Sequence, residues 1–126
     1  MRKKVAIPRN AFLYPMPVVL LGATVAGTPN YMAAAWVTRV NYDPPLLGVA
    51  VSTGHHTARG IREHGEFGVS VPSREFLVPT DYVGLVSGAA VDKSKVFETF
   101  TGALAHAPMA RECPLTMACR VVQTVA

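Results

Sequence analysis

The sequence predicts a predominantly β, barrel-like domain carrying one or two short helices. Three observations carry that expectation. Short apolar or alternating stretches recur along the chain, at Val18–Val25, Met32–Val40, Leu46–Thr53, Glu66–Val71 and Leu115–Val125. Only Ala58–His64 has both a helix start and a helix stop around it. Half of the 126 residues are hydrophobic, enough to bury a core in a single domain spanning residues 1–126.

Residues 1–17 form a lead-in punctuated by Pro8, Pro15 and Pro17. Val18–Val25 is a continuous apolar run and reads as a buried strand. Gly27-Thr28-Pro29-Asn30 supplies a turn into Met32–Val40, making an antiparallel hairpin. Alternation puts Met32, Ala34, Trp36 and Thr38 on one face of that strand, and Ala33, Ala35, Val37 and Arg39 on the other. Alanines are poor strand formers, and their small side chains leave backbone amides open to a flat partner. Asn41–Pro45 is a loop, because Pro44-Pro45 cannot continue a sheet interior.

Leu46–Thr53 is the third strand, and it delivers Ser52, Thr53, His55, His56 and Thr57 into a polar turn. Thr57 is the expected N-cap of the helix Ala58–His64, and Gly65 sits where a left-handed C-terminal cap belongs. Free amides at such a helix start favour an anion, phosphate above all. Glu66–Val71 alternates with Phe67, Val69 and Val71 on one face. Ser73–Leu85 is expected to hold a short helix near Glu75–Val78 and another from Asp81. Ser87–Lys95 is a loop and Val96–Thr101 a helical turn. In Leu115–Val125, Leu115, Met117, Cys119 and Val121 share one face; Thr116, Ala118 and Arg120 share the other. The sequence stops at Ala126 within or just beyond that strand. Two expectations follow: a partner chain covers the edge, or the chain is C-terminally shortened relative to the full domain.

Charge and cysteine content narrow the function classes. Twelve basic and eight acidic residues leave a net charge of +4. Beyond Arg2–Lys4 the basic groups are scattered singly. That pattern suits an anionic small ligand and argues against nucleic acid, which calls for a clustered stripe. Cys113 and Cys119 have neither CxxC nor zinc spacing and read as reduced core residues. The apolar run Val18–Ala26 is too short for a bilayer, which needs ~20 residues. Arg9, Asn10 and the early prolines break any signal-peptide pattern, so no membrane association and a cytoplasmic location are expected. Adjacent His55 and His56 point to opposite sides, with no carboxylate or cysteine at zinc spacing, so no metal is expected. No acid/base pair, nucleophile triad, GxGxxG or Walker loop is present, which argues against a Rossmann domain. A surface for a flat ring beside a phosphate turn points to a nucleotide, and FMN fits.

The ordered motifs carry a resemblance. Asn30-x-Met32-x-Ala34-Ala35-Trp36-Val37-Thr38 comes first, followed by Pro44-Pro45 and by His55-His56-Thr57 with Ile61. Next come Glu66-Phe67 with Pro72, Asp81-Tyr82 with Gly84, and Ser87-Gly88 with Asp92-Lys93. Ala107-Pro108 with Glu112-Cys113 closes the series. Together they resemble the flavin reductase-like, FMN-binding split-barrel proteins, and the flavoredoxin type in particular. The resemblance implies a split β-barrel with FMN at a homodimer interface. It implies an oxidoreductase that passes electrons through the flavin, from NAD(P)H as a transient donor or from another donor, to an acceptor. By position, Asn30 and Trp36 lie along the ring and ribityl chain, Thr57 takes the phosphate, and Lys93 pairs with it. Ala34, Ala35, Val37 and Thr38 present backbone near the pyrimidine edge of the ring. Ser52, Thr53, His55 and His56 line the phosphate turn. The alternatives are a non-catalytic flavin or small-ligand binding barrel, and a structural barrel that binds nothing.

Overall fold

The apolar run near the start of the chain forms β1 (Val19–Val25), which returns as β2 (Thr28–Ala34) with Leu21 opposite Met32 and Ala23 opposite Asn30. The computed structural model describes all residues, 1–126. The hairpin turn is Ala26-Gly27, with φ of 49° and 77°. Two consecutive left-handed residues are what a tight two-residue turn requires. The turn therefore precedes the expected Gly27–Asn30, and Thr28, Pro29 and Asn30 already pair with β1.

The expected long strand Met32–Val40 is interrupted. β2 ends at Ala34, Ala35 and Trp36 leave the sheet, and the chain resumes as β3 (Val37–Asn41). The break falls at the alanines, where strand propensity is lowest. β3 pairs with β4 (Leu46–Val49) in a separate two-stranded ribbon. β4 also ends before the expected Thr53, and only the bond from Ala50 N–H to the Trp36 carbonyl, 3.0 Å, extends the pairing.

Helix α1 (His56–His64) starts two residues earlier than expected, with His55 rather than Thr57 at the N-cap. Gly60 lets α1 close onto β1, since a Cβ there would overlap the Thr24 carbonyl oxygen. Gly65 closes the helix with φ 64°, and its N–H reaches the Ile61 carbonyl at 2.8 Å. β5 (Glu66–Val71) matches its expected span and pairs antiparallel with β1. The segment after it is one helical stretch, not two. A single 3-10 turn at Arg74–Phe76 runs directly into α2 (Leu77–Leu85).

Val96–Thr101 is not a helical turn. It contains β6 (Thr99–Phe100), which pairs with β7 (Met109–Ala110). A two-residue strand has no alternation to display, so neither left a signal in the sequence. β8 (Leu115–Arg120) completes the main sheet in the order β2-β1-β5-β8.

Apolar side chains fill both faces of that sheet. Leu20, Tyr31, Val83, Phe97, Ala110 and Cys113 cluster on one face. Val19, Leu21, Phe67 and Val69 cluster on the other, covered by Val37, Leu47 and Val49 of the ribbon and Ile61 of α1. Gly22 and Gly68 are paired across β1 and β5, and the Pro108 carbonyl lies over both; a Cβ on either would overlap it. Cys113 and Cys119 belong to different clusters and are both free thiols. Burial pushes both thiols up from their usual value. No helix is long and apolar enough to cross a membrane.

Candidate functional site

Asn30 is the centre of the first cleft. It stands on β2 with only 4% of its surface exposed, and its Nδ2 donates to Thr57 Oγ1 at 2.8 Å. Thr57 is 1% exposed and lies in the first turn of α1. Its hydroxyl thus serves a strand residue 27 positions away, and it does not cap its own helix. Asn30 Oδ1 lies against Gly88, where a Cβ would overlap it and come within 2.7 Å of His56 Cδ2. The loop carrying Gly88 is folded on itself, with Ser87 O accepting from Ala90 N–H at 3.0 Å and Val91 N–H at 2.9 Å. Between this loop, Val25–Asn30 and His56 lies a cleft of about 310 Å³.

Lys93 forms the end of that loop and lines the cleft. It is 3% exposed, and its Nζ donates to the Val83 carbonyl at 2.9 Å and the Val86 carbonyl at 2.6 Å. A cation at the C-terminal end of α2 meets the negative end of the helix dipole. An ammonium has three donors, so one proton remains beyond these two bonds. Burial pushes the Lys93 pKa down. His56 is also held below its ordinary value, first by burial and then by the charges of Arg59 and Lys93. Asp92 accepts from Ser94 N–H at 2.8 Å, and its bonds to Ser94 hold its pKa below the ordinary value.

Trp36 marks a second cleft, of about 530 Å³, between Leu13–Pro17 and the start of the ribbon. Its side chain is 57% exposed, and its ring sits 6.1 Å from that of Phe12, tilted by 40°. Ala35, Val37 and Thr38 share this cleft with it. Asn30 and Trp36 lie on one continuous stretch of chain, so roughly 20 Å of extended backbone links the clefts.

The residues singled out in the sequence therefore fall into three groups. Asn30, His56 and Lys93 meet at the first cleft, with Thr57 directly behind Asn30. Ala35, Trp36, Val37 and Thr38 meet at the second, and Ala34 packs into the adjoining apolar cluster. Ser52, Thr53 and His55 are exposed in the turn before α1 and border neither cleft. Their turn is closed locally, by His55 N–H to the Ser52 carbonyl at 3.0 Å. Two contributors were missed. Gly88 left only a Ser-Gly pair as its signal, and Leu13–Pro17 read as a lead-in because prolines carry no periodicity.

Comparison with known proteins places these clefts in context. The profile of the flavin reductase like domain matches residues 11–126. A flavoredoxin from Methanosarcina acetivorans, known from its crystal structure, is 53% identical. It superposes with a TM-score of 0.96, over 99% of this chain and 67% of its own. The flavoredoxin of Desulfovibrio vulgaris (Miyazaki F) is 32% identical with a TM-score of 0.88, over 100% of this chain and 69% of its own. A relative from Archaeoglobus fulgidus is 37% identical over 116 residues, 90% of this chain and 65% of its own length. The chain thus spans about 65% of the length of such curated relatives.

Proposed function

The chain belongs to the flavin reductase like family, and from that premise we propose that residues 1–126 form one domain that binds FMN across both clefts. In this reading the protein is an oxidoreductase, passing electrons through the flavin from NAD(P)H or another donor to an acceptor. A flavin-linked redox role follows from the family and from the flavoredoxin-like, split-barrel architecture. The choice of FMN, the donor and the site residues are our assignment.

One observation carries it. Three separated stretches, at Asn30, at His56 and along the loop Gly88–Lys93, converge on a polar cleft, while one segment leads from Asn30 to an exposed tryptophan. That is a site for an elongated ligand with a flat ring at one end and an anion at the other. The residues fit such a group. Trp36 offers an open ring face beside Ala34 and Ala35, which are small enough for close stacking. The N–H groups of Ala35 and Trp36 have left the strand ladder, so they are free to hydrogen-bond ring heteroatoms, while the Trp36 carbonyl stays tied to Ala50. At the other end, the remaining Lys93 proton and the His56 imidazole are donors for a phosphate.

The redox chemistry is the flavin's own. The chain's task is to hold the ring, exclude water from one face and set the electrostatics around it. No side chain at either cleft is needed as an acid or base. Trp36, Val40 and Tyr42 leave 57%, 58% and 83% of their surfaces open on the ribbon side. That exposed apolar surface supports a homodimer in which a second copy covers it, with the ring near the interface. The free thiols Cys113 and Cys119 support a reducing compartment such as the cytoplasm.

The test is a visible absorption spectrum after incubation with FMN and desalting. A retained stoichiometric flavin band is expected, bleached anaerobically by NADH or NADPH. A flavin band that no nicotinamide nucleotide bleaches would make the protein a binding barrel without this turnover. A protein that neither retains FMN nor quenches Trp36 fluorescence on titration would sink the assignment.

A further inference from the structure

The loop between β6 and β7 is fastened to the last turn of α1 by His106 and His64, neither of which lines a cleft. We propose that this pair is an acid-released latch: it holds the loop down while the two rings carry at most one proton, and lets go when both are charged. The rings lie 3.8 Å apart between centroids, with only 8° between their planes. The His106 N–H also donates to Glu66 Oε2 at 3.0 Å. Two residues further on, the Pro108 carbonyl rests on Gly22 and Gly68. Ala110 N–H then donates to the buried Ser70 Oγ at 3.0 Å. The stack thus stands beside the point where the loop enters the core.

Charge decides whether the stack can exist. Neutral imidazoles stack as aromatic rings do. One proton leaves a single positive charge, which Glu63 and Glu66 offset. Two protons put like charges face to face at this spacing, and they repel. His64 adds a second cost. A charged imidazole donates from both nitrogens, yet His64 Nε2 is sealed from solvent with no hydrogen-bond partner. Glu63 Oε2 stands 3.9 Å from it, beyond hydrogen-bond reach. The remaining charges near the pair are Arg62 on α1, which donates to the Thr53 carbonyl, and Arg120 on β8, paired opposite Glu66. β1, on which α1 packs, carries no charged side chain. No group lies between the rings to relieve their repulsion, so the doubly charged pair separates and the loop lifts.

The test is amide hydrogen exchange at Ala107 and Ala110, read as protection factors at pH ~7.5 and pH ~5, the range over which histidine changes charge. In the wild type, protection at both amides should fall roughly tenfold or more on acidification, while the β1 amides Leu20–Gly22 keep theirs. His106→Phe keeps a ring on His64 but cannot take the second proton, so both amides should be as protected at the lower pH as at the higher. Glu66→Gln keeps an acceptor for the His106 N–H and removes the counter-charge, so its loop should open at a higher pH than that of the wild type. His64→Phe makes the same test from the helix side and serves if His106→Phe does not fold. Equal protection at both pH values in the wild type would overturn the latch. The same acid-induced loss in the phenylalanine variants would overturn it too. So would a fall shared by the β1 amides, because the whole domain and not the loop would then be yielding to acid.

Discussion

Tyr31 shows how much a single residue of β2 carries. It is fully buried, next to Asn30 in sequence but on the opposite face of the sheet. Its hydroxyl pairs with Thr99 Oγ1 at 2.7 Å and donates to the Met109 carbonyl at 3.3 Å, tying β2 to β6 and β7. Burial pushes its pKa up to about 12, with Glu112 and Cys113 adding to the rise and the Thr99 bond opposing it. The folded value thus exceeds the unfolded value of about 10. The resulting stability is complete below pH ~10 and is lost as pH climbs towards 12, by about 2–3 kcal/mol. Denaturant titrations at pH 9 and pH 11 should show about half of that loss, ~1.4 kcal/mol, in the wild type, and Tyr31→Phe should remove most of it. Trp36→Ala should weaken FMN binding roughly tenfold through lost stacking while leaving the melting temperature nearly unchanged, because the ring is half exposed. At this scale the sequence was partly legible. Asn30, His56 and Lys93 were found as site candidates from motif order, and the structure brings them to one cleft. The bonds they make were not legible, because the acceptor of Asn30 lies 27 residues on and the carbonyls held by Lys93 belong to a helix end.

Strong periodicity did not guarantee a full span: β8 starts at the expected Leu115 but stops at Arg120, short of the expected Val125. β5 alternates cleanly and occupies its expected span, whereas β6 and β7 are too short to alternate at all. The split of Met32–Val40 into β2 and β3 was hinted at only by alanine's poor strand propensity, because both halves keep an apolar pattern. The β1–β2 turn offers a gain. Ala26 adopts φ 49°, a conformation that an L side chain disfavours and asparagine tolerates. Ala26→Asn should raise stability by ~0.5–1 kcal/mol in chemical denaturation. The β1–β5 pair offers the opposite. Gly68→Ala would set a methyl against the Pro108 carbonyl, a backbone atom that cannot swing aside. It should cost about 2–3 kcal/mol, whereas Gly102→Ala, which meets only Met109 Cε at 3.7 Å, should be near neutral.

For the molecule as a whole, the sheet order β2-β1-β5-β8 has cores on both faces, and the β3–β4 ribbon stands outside it. A lone two-stranded ribbon is marginal in water unless something packs on it. The near face is covered by the main core, and Val40 and Tyr42 remain open. Sedimentation velocity over a concentration series should show a dimer, with Trp36 emission shifting to the blue as it forms; a monomer at every concentration would contradict the homodimer. The mainly β class was legible from strand-length apolar runs and punctuation. The strand order was not, since β8 joins β5 from far along the chain.

The ammonium of Lys93 joins the loop over the first cleft to the last turn of α2. It works as a rivet between two parts that would otherwise move separately. Lifting the loop tears two hydrogen bonds from the helix end, and unwinding that helix end frees the loop. A ligand whose departure requires the loop to lift would leave on the timetable of helix fraying, and backbone amide exchange around Val83–Val86 would then serve as a clock for its release.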